Sequence, residues 1–324
     1  MANKQGPILR FQVSFSALFL VGSLTLGVAA AGAHDACGPD ALGTSRTLVV
    51  GTQGGPEIGL KTYPQTLPLR DHEVALTFDD GPGAKTTPAV LEALKRECVK
   101  ATFFLIGQHA QALPALVRRE LADGHTVGHH TFSHPAITLR RMSTEAAEAD
   151  IDHGFKADDL AAYGTADMTP RVPFFRFPGF ADTPEVDRWL ANRNVAVFGA
   201  DLWASDWLHM TPAAELALVM GRLEKSKGGI VLFHDTKSTT ARMLPAFLRA
   251  VKANGYSIVQ LVPGDGTPET RPAPAGWSSE TDRIINQVFQ AEDAKTHRAP
   301  EPDQRPVRHV TAADQAAPKR ETPP

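Results

Sequence analysis

A chain of 324 residues with a formal net charge of −3 presents no basic field for nucleic acid. Its length suits one large domain or two small ones once any leader is set aside. Two cysteines, Cys37 and Cys98, are too few for a disulfide-framework fold.

The first 33 residues read as an export signal. Lys4 and Arg10 precede an apolar run from Phe15 to Ala31, and Ala31-Gly32-Ala33 fits a small-x-small cleavage site. The expected location is therefore periplasmic or secreted, with membrane association only if this segment stays uncleaved. Residues 34–70 form an N-terminal arm. In an oxidising compartment Cys37 and Cys98 can pair and tie this arm to the body. The alternative is that Cys98, closing a helical stretch, is a small buried apolar residue.

From residue 71 to 263 short apolar runs alternate with helix-period stretches. VALTF (74–78), ATFFLI (101–106), HTVG (125–128), VPFFRF (172–177), VAVFGA (195–200), GIVLFH (229–234) and YSIVQLV (256–262) read as strands. Helices are expected at about 87–98, 111–123, 143–162, 183–193, 211–226 and 239–254. Thr87-Pro88, Thr183-Pro184 and Thr211-Pro212 each put a capping hydroxyl before a first-turn proline. Ser143 opens a further helix, with Glu145 and Glu148 where the dipole favours acids. Nearly continuous apolar strands separated by helices predict a mainly parallel α/β sheet covered on its faces. Whether closed into a barrel or left open, such a sheet binds ligands at the carboxyl ends of its strands.

Residues 264–324 hold nine of the 25 prolines, mixed with charged and small residues, and read as a Pro-rich disordered tail. Within it IINQVF (284–289) is a short amphipathic piece able to dock as a helix. No internal repeat is present.

Asp79 and Asp80 stand at the exit of the first strand, before a Gly-Pro-Gly turn. Adjacent carboxylates repel unless a cation is near, although Asp-Asp-Gly-Pro is also ordinary turn chemistry. GHTVGHHTFSHP (124–135) then packs His125, His129, His130 and His134 into ten residues. His130 and His134, spaced i, i+4, are expected on one face of a helical turn, as a metal clamp. His125 and His129 are expected to pack and to hydrogen-bond in support. Position 131 is Thr, so the His-Glu-x-x-His motif is absent. Asp80 and two imidazoles make a three-ligand set with open positions, which suits a catalytic rather than a structural metal. That division leaves Asp79 free to take a proton. No G-x-S-x-G occurs, so a Ser-His-Asp hydrolase has no support.

TFDDG (77–81) with HTFSH (130–134) resembles the opening motifs of the polysaccharide deacetylase family, the NodB-homology carbohydrate esterases of family 4. Arg176-Phe177-Pro178-Gly179-Phe180 resembles its arginine–proline motif, DLWASDW (201–207) its Asp/Trp motif, and IVLFHD (230–235) its closing Leu-x-His. The resemblance spans about residues 70–263, so residues 71–263 are the expected catalytic domain. It implies a distorted (β/α) barrel with about seven parallel strands, and a hydrolase that removes N-acetyl groups from sugars of a polysaccharide.

Position by position, it implies that Asp80, His130 and His134 hold a divalent metal, usually zinc, with cobalt or nickel also accepted by such ligands. Asp79 would be the general base, and Arg176 its partner, keeping it ionised. His234 would be the general acid, oriented by Asp206. Leu232 would line the pocket for the acetyl methyl, with Trp207 and Phe180 at the substrate; Trp203 suits either the core or a sugar platform. Two departures are visible. Gly179 stands where the family commonly has an aromatic whose N–H helps hold the oxyanion, and Trp203 where another acid is frequent. The expected partner is an acetylated glycan (peptidoglycan, poly-N-acetylglucosamine or a chitin-like chain), with no nucleic acid and no protein partner. An O-acetyl esterase using the same residues is the nearest alternative. A non-catalytic glycan-binding module is a weaker one, because Asp79, Asp80, His130, His134, Arg176 and His234 are all retained.

Overall fold

The computed structural model describes residues 37–135, 139–296 and 306–311. The expected export signal at 1–33 lies outside them. Among the described residues no helix is long and apolar enough to cross a membrane.

The N-terminal arm supplies β1 (Thr44–Gly51), β2 (Glu57–Ile58) and β3 (Gln65–Thr66), none of them anticipated. Then come β4 (Glu73–Asp79), α1 (Thr87–Arg96), β5 (Thr102–Leu105), α2 (Gly107–Ala112), α3 (Pro114–Ala122) and β6 (Thr126–His129). The long α4 (Thr144–Tyr163) leads to β7 (Phe174–Phe175), α5 (Pro184–Ala191), β8 (Ala196–Phe198) and β9 (Leu202–Trp203). The body closes with α6 (Pro212–Ser226), β10 (Gly229–His234), α7 (Ser238–Ala253) and β11 (Ser257–Gly264). Two more elements follow, β12 (Arg271–Pro272) and α8 (Glu280–Thr296).

Each pairing in the main sheet is parallel. The sheet has ten strands, among them the seven expected (β4, β5, β6, β7, β8, β10 and β11), with β11 paired to β4. One path through it runs β9-β10-β4-β5-β6-β7-β8, with the unexpected β9 at its end. The two end strands are joined by residues 199–201 alone. So short a link spans at most about 15 Å, which forces the sheet to curl back on itself as an incomplete barrel. β4 is buried at every residue and β10 at all but the last, the pattern of strands covered on both faces. β1 extends the sheet alongside β11, and β2 alongside β8.

Three helix starts follow the sequence. Thr183, Thr211 and Ser143 each accept from the backbone N–H three residues on, at 3.2–3.3 Å. Thr87 departs from its expected role, because α1 already includes it. Its hydroxyl instead accepts from Gly83 N (2.7 Å) and donates to the buried Asp235, pinning the turn after β4. Cys37 and Cys98 are disulfide-bonded, with Cα atoms 6.1 Å apart, so the arm is tied to the end of α1.

The expectation of a disordered tail from 264 on is corrected for the residues described there. β12 pairs with β3, α8 buries Ile285 and Phe289, and residues 306–311 lie against the body through Arg308. Proline content misleads here, because the apolar stripe of α8 and several buried ion pairs offset the ordering entropy.

Candidate active site

The register of the sheet gathers the chemistry. His234 at the end of β10 lies opposite Asp79 at the end of β4, while His130 and Arg176 immediately follow β6 and β7. Asp79 and Arg176 are both buried. Arg176 Nη1 donates to Asp79 Oδ1 at 2.6 Å and to Thr77 Oγ1 at 2.9 Å. Its Nε and Nη2 reach the carbonyls of Phe198 (3.2 Å) and Gly199 (2.8 Å). Burial raises the Asp79 pKa above the ordinary carboxylate range, and the Arg176 and His234 charges offset it only in part. Arg176 acts in the expected direction, lowering the Asp79 pKa through its charge and its hydrogen bond, but does not cancel the effect of burial. Desolvation outweighs the cation, which makes this carboxylate a stronger base than an exposed one.

Asp80 takes φ 73°, a left-handed conformation that aspartate tolerates, and its carboxylate turns to different partners. Oδ1 lies 3.6 Å from His130 Nε2 and 3.4 Å from His134 Nε2. This buried oxygen has no hydrogen-bond partner, a costly state that a cation would relieve. The three side chains each offer a ligand atom, all within 4.8 Å of one another. His130 Nδ1 is 2.7 Å from the Arg176 carbonyl, which can only accept. The ring therefore carries its proton on Nδ1 and leaves the Nε2 lone pair for a ligand. Burial pushes its pKa down to about 3, keeping it neutral. Two imidazoles and a carboxylate, so prepared, fit a divalent transition ion.

The helical turn expected for His130 and His134 is not there. His130 N still bonds Leu105 O at 2.8 Å, so the strand direction persists through it and no helix can begin. A loop with Thr131 at φ 67° and His134 at φ 48° returns the second ring, 5.1 Å from the first between centroids. Asp150 of α4 pins this loop by accepting from Phe132 N and Ser133 N. Gly154 allows the approach, since a Cβ there would stand 2.5 Å from the Thr131 carbonyl carbon. The other two histidines support, as expected. His125 Nδ1 accepts from Ala101 N at 3.2 Å, and His129 Nδ1 pairs with buried Asp158 at 2.8 Å.

His234 Nδ1 lies 2.7 Å from Asp206 Oδ1, and Asp206 Oδ2 accepts from His234 N and from Thr240 Oγ1, each at 2.7 Å. Burial opposes charge on His234, yet the hydrogen bond and charge of Asp206, with Asp80 and Asp79 beyond, push its pKa up to about 9. The imidazolium is thus the resting form at neutral pH, its Nε2 4.0 Å from Asp80 Oδ2. Asp201, which opens the same DLWASDW motif, does other work. It accepts from Leu60 N, Ile230 N and Thr66 Oγ1, tying the N-terminal arm to β10.

Asp79, Asp80, His130, His134 and His234 line one cleft of about 470 Å³, a size suited to a small-molecule or sugar ligand. Leu232, Phe180 and Trp203 form its apolar floor with Ala200. Trp203 is therefore both packed and part of the cleft. Trp207 is 46% exposed and stands edge-on to His234 at 5.9 Å. Phe180 N is engaged with Phe177 O at 2.9 Å. The cleft also includes Lys237 and, from α8, Thr281, Ile284 and Ile285, residues that sequence reasoning missed. For Ile284 and Ile285 the one signal was the amphipathic stretch at 284–289.

The polysaccharide deacetylase family profile matches residues 67–193, which takes in Asp79, Asp80, His130, His134 and Arg176. A peptidoglycan-N-acetylglucosamine deacetylase of Bacillus cereus is 32% identical over 207 residues, covering 60% of this chain and 72% of the relative. The chain belongs to the polysaccharide deacetylase family. Another such deacetylase, PgdA of Listeria monocytogenes, is 34% identical over 189 residues, 58% of this chain. The match spans only 38% of that relative's own length. Among solved structures, a peptidoglycan deacetylase of Bdellovibrio bacteriovorus superposes with a TM-score of 0.60 at 30% identity, covering 68% of this chain and 59% of that one. Asp206 and His234 lie beyond the stretch the family profile matches, and the sheet register brings them to it.

Proposed function

We propose that this polysaccharide deacetylase hydrolyses the N-acetyl group of amino sugars in a cell-envelope glycan, releasing acetate and a free amine. The observation that carries the reading is the buried, unpartnered Asp80 Oδ1 within 3.6 Å of two imidazole nitrogens, beside a second carboxylate held apart by Arg176. Asp80, His130 and His134 would hold a divalent ion, zinc before cobalt or nickel, which when bound would lower the pKa of water and polarise a carbonyl. Asp79 takes the proton of the attacking water on Oδ2, since Oδ1 is engaged by Arg176. As the carbon–nitrogen bond breaks, His234 gives its Nε2 proton to the sugar nitrogen. Asp206 holds the imidazolium and its charge. Leu232 and the aromatic floor receive the acetyl methyl.

A resting imidazolium supports amide over ester hydrolysis, because an amine must be protonated to leave whereas a sugar alkoxide depends less on it. The names of the relatives support peptidoglycan N-acetylglucosamine as the substrate. The Cys37–Cys98 disulfide supports an oxidising, exported location, as does the reading of residues 1–33. The deciding experiment is acetate release from peptidoglycan, N-acetylglucosamine oligomers and acetyl-xylan, with and without chelator. Release from the N-acetylated glycans that chelator abolishes is expected; release from acetyl-xylan alone would replace this reading with the esterase one.

A further inference from the structure

Helix α8 is fastened to the body at the mouth of the cleft. Glu280 N and Thr281 N donate to Lys61 O at 3.0 and 3.1 Å, and Lys61 Nζ pairs with Glu280. Behind this contact Asp182 and Asp282, both fully buried, lie between two arginines. Arg140 Nη2 reaches them at 3.1 and 3.2 Å, and Arg308 at 2.8 and 3.0 Å. Ile285 and Phe289 pack on Ala181, directly after the arginine–proline motif. Breaking a buried ion network costs several kcal/mol, so α8 is a fixed wall rather than a loose tail.

That wall holds Ile284 on the rim of the cleft that contains Asp80 and His234. Ile284 is 42% exposed, in contrast to Leu232 at 2% on the floor. Trp207, at 46%, is the other large apolar side chain left open to water on the same lining. Paired exposed apolar groups on one cleft mark a contact surface, and the C–H face of a pyranose is apolar enough to cover them. With the acetyl group drawn to Leu232, a group on the rim meets what lies further along the ligand. We propose that Ile284 is a specificity-determining residue: backed by Ile285, it contacts the sugar adjacent to the one being deacetylated, so that a glycan chain is held between α8 and Trp207. This assignment rests on the glycan-deacetylase reading of the site.

The test compares Ile284→Asp with Val288→Asp, which lies one turn further on the same helix, is 47% exposed and does not line the cleft. Ile284→Asp is expected to raise KM for a tetramer of N-acetylglucosamine roughly tenfold, the scale of one lost apolar contact, and to narrow the tetramer-to-monomer ratio of kcat/KM by the same factor. In an Asp79→Asn background, calorimetry should show tetramer affinity weakened to the same extent by Ile284→Asp. Val288→Asp should move none of these. Equal effects of the two substitutions, or none from Ile284→Asp, overturn the wall assignment while leaving acetate release by the wild type to support the function. A wild type that releases no acetate, yet binds tetramer in an Ile284-dependent way, overturns the function and keeps the wall.

Discussion

Arg176 Nη1 lies 2.6 Å from Asp79 Oδ1 with both groups buried, and this contact separates two carboxylates that are neighbours in the chain. One oxygen of Asp79 is spoken for, and Oδ2 stays 3.9 Å from His130 Nε2. Asp80, one residue on, belongs to the histidines instead.

Asp79→Asn should therefore remove the base and spare the ligands. Turnover is expected to fall by at least about 10³-fold, within the range of a lost acid–base group, while metal content by elemental analysis stays at the wild-type level. Near-wild-type acetate release would refute the role given to Asp79.

His130→Ala should lose metal and activity together. Its Nε2 is one of three converging donors, and its Nδ1 bond to the Arg176 carbonyl fixes the ring. Metal stoichiometry after dialysis, measured beside acetate release, checks this; an active variant with no metal would contradict it.

His234→Ala should keep its metal and slow the reaction by roughly 10²–10⁴-fold. Asp206→Asn removes the main group that raises the His234 pKa to about 9. The protonated acid is then lost at lower pH, so the alkaline limb of the kcat profile should move down. An unshifted limb would show that Asp206 serves packing alone.

Glu73 gives a stability test remote from the cleft. Arg46 grips it through Nε at 2.8 Å and Nη2 at 2.6 Å, and this hydrogen bonding, against the cost of burial, lowers the Glu73 pKa. A depressed folded value means stability that is present above the ordinary glutamate pKa and is lost as pH falls through the folded one. Glu73→Gln should cost about 1–2 kcal/mol near neutrality, with the gap to wild type closing under acid conditions. Thermal melts at neutral pH and near pH 3 would reveal a constant gap if the ion pair contributed nothing.

The candidate metal ligands were legible because their chemistry is local. An Asp pair at a strand exit and two closely spaced histidines announce a cation whatever the backbone does between them. The backbone itself was misread. Spacing i, i+4 suggested a helical turn, but His130 remains hydrogen-bonded to β5, and a loop held by Asp150 and Gly154 delivers His134. The same end was reached by a different conformation, because ligand distance constrains the rings and not the path joining them.

Hydrophobic periodicity by itself determined the alternating strands and helices of the body, and residue identity determined the candidate ligands, base and acid. Both are properties of short stretches of chain. Tertiary structure alone decided that Thr44 pairs with Ile258, that two-residue strands such as β2 and β9 exist, and that α8 walls the cleft. A strand so short is made by the partner whose backbone groups it satisfies. Likewise, the described part of the Pro-rich segment is held by Arg140 and Asp182 of the body, and no local window of sequence contains those partners.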